Sequence, residues 1–230
     1  MRMENLRNLY LKTRLQFNAL LSQDTVISGY HRALVTQISK PLSQLPLMAV
    51  DLEMTGLNSQ FDQILSIGLI PIRNGLLQVS HSKHLLVSID GSVGDSAVIH
   101  GIVDNQLTQA VSPKLAMAWF LEQTQGHVLV AHHAPLDLCF LKAEIQRCYG
   151  QTIQFVAIDT MAVEKRRLLM QIDVIKEGSL RLDACRQRYG LPVYAAHNAA
   201  IDALACGELL LAQIAAIAGN DELSLFDLLN

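Results

Sequence analysis

The stretch Leu47-Met48-Ala49-Val50-Asp51-Leu52-Glu53 decides how the 230-residue chain is read. Four consecutive apolar residues between Pro46 and Asp51 have the look of a buried strand. The carboxylates Asp51 and Glu53 then close that strand. Working outward, residues 63–72 and 76–89 read as the next two strands, and Arg73-Asn74-Gly75 between them is a turn signal that predicts a hairpin. Residues 113–124 predict a helix, 128–131 another buried strand, 135–149 a helix and 155–158 a fifth strand. Helices are expected over 161–171, 179–189 and 198–218. Strands first, then alternation, then helices, imply an α/β fold: a mixed five-stranded sheet flanked by helices on both faces.

Upstream of Leu47 the chain reads as a helical N-terminal extension, residues 1–45. Leu6, Leu9, Tyr10, Phe17, Leu20 and Leu21 recur at near-helical spacing, so this stripe is expected to pack on the body. Contact with nucleic acid and a homodimer are the alternatives. Ser28-Gly29 reads as a break before a second helix through Tyr30, Leu34 and Ile38, ended by Pro41 and Pro46. The extension carries a balance of +4 and the remainder −7, so a basic arm precedes an acidic body. A net charge of −3 argues against a protein that holds long duplex DNA by phosphate neutralisation alone.

Half of the chain is hydrophobic and 17% is charged, which supplies a full core with a surplus for an interface and argues against disorder. Residues 203–218, the most apolar run, are broken by Glu208 and Gln213 and fall short of the ~18–20 clean residues of a membrane span. The first residues lack the apolar run of a signal peptide. Cys139, Cys148, Cys185 and Cys206 form no C-x-x-C pair and read as reduced core thiols, so a cytoplasmic protein without membrane partners is expected. The body then spans 46–218 and a tail 219–230.

Carboxylates stand at the ends of the predicted elements: Asp51 and Glu53 after the first strand, Asp137 in the first turn of a helix, and Asp202 near the start of the last one. Each alone is weak, since random placement of 13 Asp and 8 Glu gives about 0.45 D-x-E pairs per chain. Together they sit where element ends can converge on one crevice. Four clustered carboxylates need cations to stay ionised. An all-oxygen set favours Mg²⁺ or Mn²⁺, two per site, and suits phosphodiester hydrolysis with the ions ~3.5–4 Å apart. His197 precedes Asp202 by five residues, about 140° around a helix, so it must sit at or before the first turn to share that crevice. A neutral imidazole there can take the proton from an attacking water.

Three motifs in order resemble those of the DEDDh 3′–5′ exonucleases, the family of the DNA polymerase III epsilon subunit. Ala49-Val50-Asp51-Leu52-Glu53-Met54-Thr55-Gly56-Leu57 resembles the first, residues 131–141 with Asp137 the second, and Ala196-His197-Asn198-Ala199-Ala200-Ile201-Asp202-Ala203 the third. Ile99-His100-Gly101-Ile102 is similar to a segment that lines the family's nucleotide pocket. The resemblance covers about residues 47–216 and implies a ribonuclease H-like fold. It implies Asp51, Glu53, Asp137 and Asp202 as metal ligands, with Asp51 bridging, and His197 as general base. His100 and Asp95 would approach the terminal nucleotide, while Met54, Thr55 and Leu57 would hold its 3′ end. The sister subfamily's tyrosine position is Asn198 here, so the histidine version fits.

There are departures. His132-His133-Ala134-Pro135-Leu136 stands where the family has His-Asn-Ala and an aromatic, and Asp95 replaces a Glu. Asp-Leu-Glu-Met-Thr-Gly-Leu is closer to the first motif of oligoribonuclease. The expected activity is release of nucleoside 5′-monophosphates from single-stranded or frayed DNA ends. RNA as substrate, or a non-catalytic clamp-associated binding module, are the competing readings. In the tail, Leu223-Ser224-Leu225-Phe226 resembles the core of peptides that dock on the bacterial sliding clamp, with Glu222 in place of the usual Gln. A polymerase or clamp is therefore a candidate partner, against a tail that folds back on the body through Leu223 and Phe226. Lys165-Arg166-Arg167 reads as a solvated helix end, or a contact for a phosphate strand.

Overall fold

The apolar run at Leu47 extends into an eight-residue strand, β1 (Leu47–Met54), in a computed structural model that describes residues 2–195, 197–218 and 223–229. β1 is central. It pairs antiparallel with β2 (Ile64–Arg73) on one side and parallel with β5 (Val128–Ala131) on the other, and β5 continues in parallel to β6 (Ala157–Asp159). Every residue of β5, and all of β2 but Arg73, is buried, as strands covered on both faces require.

Beyond β2 the single strand expected over 76–89 is divided. Leu76–Leu77 (β3) and Lys83–Leu86 (β4) both pair with β2, but between them the register slips by three residues, taken up by a 3-10 turn at Val79–His81. Pro71 supplies the physical reason. Its carbonyl accepts from Gln78 N–H at 2.8 Å, so its nitrogen, which has no hydrogen, faces the same edge and the ladder cannot continue there. The sheet consequently has six strands, in the order β3-β2-β1-β5-β6 with β4 also on β2.

α3 (Ala97–His100) and α4 (Pro113–Thr124) follow β4; α5 (Ala134–Tyr149) links β5 to β6; α6 (Thr160–Leu169), α7 (Leu182–Arg188) and α8 (Ala199–Ala218) complete the body. α8 is the one described helix long and apolar enough to cross a bilayer. It packs on β1 and β2, burying Ala199, Ala203, Cys206, Leu209 and Leu210. The stop signal expected at Gly219-Asn220 lies outside the described residues.

The extension forms α1 (Arg2–Leu21) and α2 (Thr25–Gln37), and the break falls earlier than Ser28-Gly29. Asp24 caps α2 by accepting from Val26 and Ile27 N–H at 2.8 and 3.1 Å, which places Ser28 and Gly29 inside the helix. Ile27, Tyr30, Leu34 and Ile38 join the same core as the sheet, where the Tyr30 ring meets Phe155 edge-on at 5.6 Å. The stripe expected to pack on the body does not. Leu6, Leu9, Tyr10, Phe17, Leu20 and Leu21 are all exposed, and α1 turns Leu11, Leu15 and Ala19 inward instead. Among the cysteines, Cys185 and Cys206 are buried as expected, but Cys139 is exposed.

A buried carboxylate joins the last three helices of the body. Glu164 on α6 accepts from Arg167 (3.1 Å), Arg188 (2.8 Å), Tyr189 (2.6 Å) and Gln213 (3.2 Å). Burial opposes its charge, but these four donors win and hold it down to about 2. Its ionisation therefore stabilises the fold above the ordinary range near 4.5, and that contribution is lost as pH falls toward 2. Glu164→Gln leaves two guanidinium groups short of a counter-charge and is expected to cost about 3 kcal/mol in urea denaturation at pH 7. Arg167 is thus partly exposed but engaged by Glu164, and its guanidinium also lies 4.9 Å from the Tyr189 ring.

Candidate active site

Asp51 and Glu53 lie two apart on β1, so both face one side of the sheet. Opposite Asp51 in the register stands Gly68. A Cβ there would sit 2.0 Å from the carbonyl oxygen of Ala199, so the glycine admits the first turn of α8 against the sheet. Asp202 stands in that turn. Carboxylate oxygens of Asp51, Glu53 and Asp202 come within 4.8 Å of one another.

Asp137, in the first turn of α5, is not among the three carboxylates that meet within 4.8 Å, but its charge acts on Asp51. Its helix begins at His133 (φ +74°), whose N–H donates to Asp159 at 3.0 Å; the same Asp159 oxygen caps α6 through Met161 N–H. Asp159 thereby fixes where α5 starts. The Asp137 carboxylate is buried and accepts from the N–H of Leu52. His132 is occupied structurally, between Thr160 Oγ1 and the Leu180 carbonyl at 2.8 Å each.

The electrostatics follow from this crowding. Burial, then the charges of Asp137, Asp202 and Glu53, push Asp51 well above the usual carboxylate range. Burial and Asp202 raise Glu53 to about 7. Asp137 rises to about 8 chiefly through burial, against the hydrogen bonds it accepts. Burial also raises Asp202, less so because His197 N–H donates to it at 2.7 Å. Three hard-oxygen donors meeting at one point, each with its charge disfavoured, form a site that a divalent cation completes.

His197 lies two residues before α8, at φ +68°, where the sequence requires it. Asn198 follows and caps the helix through Ala200 and Ile201 N–H. The segment before His197 is held by buried Arg186, which donates to the carbonyls of Ala205 (2.6 Å) and Pro192 (2.8 Å) and pairs with Glu208 (2.8 Å). Its guanidinium lies 4.7 Å from the ring of Tyr194, whose hydroxyl also bonds Glu208. Neither this clamp nor the role of Gly68 was predicted, because no local motif marks either.

His197, His100 and Glu53 line one cavity of 140 Å³ with Ser66 and His84. His100 Nδ1 accepts from Ile102 N–H at 3.1 Å, while its Nε2 and the Ser66 hydroxyl are buried with no partner, leaving polar atoms on the wall for a ligand or water. A larger cavity, 560 Å³ between α1 and the end of α5, contains none of the carboxylates of this cluster.

The remaining predicted residues divide. Asp95 is exposed in the turn before α3, on the same segment as His100 but outside the cavity lining. Thr55 is engaged within the β1–β2 loop, with Asp62 at 3.3 Å and Gln63 N–H at 3.0 Å. Met54 is half-buried against the core, and Leu57 projects from the loop, 76% exposed. In the tail, Leu223 is partly buried, and Leu225 and Phe226 are buried in the short helix α9 (Leu225–Leu228). Arg7 lies 5.8 Å from the Phe226 ring, and Arg166 donates to the carbonyls of Asp227, Leu228 and Leu229. So placed, these side chains face the body, the fold-back alternative; Glu222 lies outside the described residues.

Fold and site together define a nuclease, and the chain belongs to the exonuclease family RNase_T, whose profile matches residues 48–210. It is 31% identical over 168 residues to the DNA polymerase III subunit epsilon of Treponema pallidum, covering 73% of this chain and 75% of that subunit. It is also 30% identical to the PolC-type DNA polymerase III of Thermotoga petrophila, over 71% of this chain but only 11% of that polymerase. In fold it is similar to E. coli exonuclease I in complex with a dT13 oligonucleotide, at a TM-score of 0.62 and 14% identity, over 76% of this chain and 41% of that one.

Proposed function

We propose that this chain is a metal-dependent 3′–5′ exonuclease of the DEDDh type that trims single-stranded or frayed DNA ends to nucleoside 5′-monophosphates. The observation that carries it is the convergence of Asp51, Glu53 and Asp202 within 4.8 Å beside the cavity that His197 and His100 line. Asp51, Glu53, Asp137 and Asp202 would hold two Mg²⁺ or Mn²⁺ ions. The chemistry such ions would supply there is activation of a water and neutralisation of charge on the leaving oxygen.

The protein's own groups do the rest. His197 takes the proton of the attacking water, and Asp202 fixes the backbone of that histidine. His100 Nε2 and the exposed Leu57 meet the terminal nucleotide. His197→Ala is expected to lower turnover by a factor on the order of 10²–10⁴ with little change in metal affinity. An undiminished rate would remove His197 from the mechanism.

DNA is favoured over RNA by the oligonucleotide bound to the E. coli structural neighbour and by the polymerase subunits among the relatives. The likeness of residues 51–57 to oligoribonuclease supports the RNA reading. Rates on matched DNA and RNA single strands labelled at the 3′ or 5′ end decide both sugar and polarity. Mononucleotide release from the 3′ end of DNA, abolished reversibly by EDTA, is the expected result. Cleavage from the 5′ end would overturn the proposal.

Metal and proton compete for the same carboxylates. Their pKa values are raised in the folded chain, so the cluster's own contribution to metal-free stability is fully present below the ordinary range near 4 and is lost as pH rises through about 7 to 8. Scanning calorimetry without metal is expected to give a melting temperature several degrees lower at pH 8 than at pH 5. Added Mn²⁺ should raise it most at pH 8.

A further inference from the structure

The apolar stripe of α1 has no place in the nuclease site and no cover on the body. Met3, Leu6, Leu9, Tyr10, Phe17, Leu20 and Leu21 are each 59–79% exposed. At 100° per residue all seven fall within an arc of about 120°, and the middle of that arc lies opposite Leu15, the buried centre of the inward face. α1 is therefore apolar on two sides, one docked on the body and the other facing water.

We propose that this outer face of α1 is a self-association surface, covered by α1 of a second copy of the chain. Three observations select that occupant. The first is the spacing. Met3, Leu6, Tyr10, Thr13, Phe17 and Leu20 alternate three and four apart, the 3.5-residue repeat that a partner helix needs, whereas a helix lying on a lipid surface needs only a broad apolar arc. The second is self-complementarity. About a twofold axis near Leu11 and Lys12, an antiparallel pair sets Met3 against Leu20, Leu6 against Phe17, and Tyr10 against Thr13, so that the polar position meets the hydroxyl-bearing ring. The third is area. Seven such side chains, at ~200 Å² each when fully exposed, present roughly 900 Å². That exceeds the ~300–600 Å² patch of an ordinary monomer and matches the ~800 Å² that one partner contributes to a standard interface.

Charge sets the salt dependence. α1 carries Arg2, Arg7, Lys12 and Arg14 against Glu4 alone, so two copies repel and screening brings them together. Binding of the same basic helix to an anionic surface would weaken with salt instead.

Sedimentation equilibrium of the full chain at about 10–100 µM tests this. The expected result is twice the single-chain mass, with dissociation no greater at 500 mM than at 50 mM NaCl. Leu6→Glu/Phe17→Glu should sediment at single-chain mass with unchanged circular dichroism, since both positions are exposed and the inward face is untouched. Val79→Glu, an exposed apolar site in the turn between β3 and β4, should remain dimeric. A wild type at single-chain mass would overturn the proposal. So would a dimer that survives Leu6→Glu/Phe17→Glu, or a monomer that sediments only with phosphatidylserine vesicles.

Discussion

Asp51→Asn is expected to abolish hydrolysis while making the metal-free protein more stable at pH 8. Both effects come from one position. Asp51 is the carboxylate on which the charges of Asp137, Asp202 and Glu53 all converge. In the proposed mechanism it would be a ligand of the metal site, so its loss removes several kcal/mol of charge stabilisation, on the order of a 10³-fold fall in rate or more. In the absence of metal the same charge is a liability. An amide of equal size removes the repulsion and the cost of burying an anion, so the melting temperature of the metal-free variant should exceed that of wild type at pH 8 and converge with it near pH 5. Steady-state rates on a 3′-labelled single strand, and calorimetry with and without EDTA, read the two effects separately. An Asp51→Asn protein that still hydrolyses would remove the carboxylate cluster from the chemistry.

Gly68→Ala carries the second large effect, at a residue that touches neither metal nor substrate. The added carbon would stand 2.0 Å from the Ala199 carbonyl oxygen and 2.4 Å from the Ala200 nitrogen, both backbone atoms that cannot rotate away. Relief requires the start of α8 to move outward by about 1 Å or more. Asp202 and His197 move with it, while Asp51 and Glu53 stay on the sheet. Misplacement of that size costs on the order of 10²-fold in rate, and overpacking adds about 1–3 kcal/mol of destabilisation. The expected signature is a fall in both activity and Mn²⁺ affinity in a protein that still folds. Unchanged affinity would mean that α8 is not what brings Asp202 to the cluster.

The contrast between these two residues explains what could be read in advance. Asp51 and Glu53 were legible because a strand buried on both faces leaves an unbroken apolar run, and two carboxylates at its end are conspicuous. Asp137 and Asp202 were legible because each falls in the first turn of a helix, a place set by local periodicity. Gly68 was not. Its requirement is a distance between backbones 131 residues apart, and nothing near it in the chain records that approach. The Arg186 clamp and the four donors of Glu164 are tertiary pairings of the same kind. The misread elements failed for local reasons. Apolar residues through 76–89 conceal the detour that Pro71 enforces from the facing strand, and a capping Asp24 outweighs a Ser-Gly pair that a helix can absorb. The α1 stripe was found correctly by its spacing and misplaced, because periodicity reveals an apolar face without saying what covers it.

All of this rests on carboxylates from β1, α5 and α8 sharing divalent ions. The most direct measurement is an anomalous difference map from crystals grown with Mn²⁺. The account predicts density within bonding distance, about 2.0–2.3 Å, of Asp51, with Glu53, Asp137 and Asp202 completing the coordination. Manganese bound elsewhere, or none between Asp51 and Asp202 at saturating concentration, would contradict it.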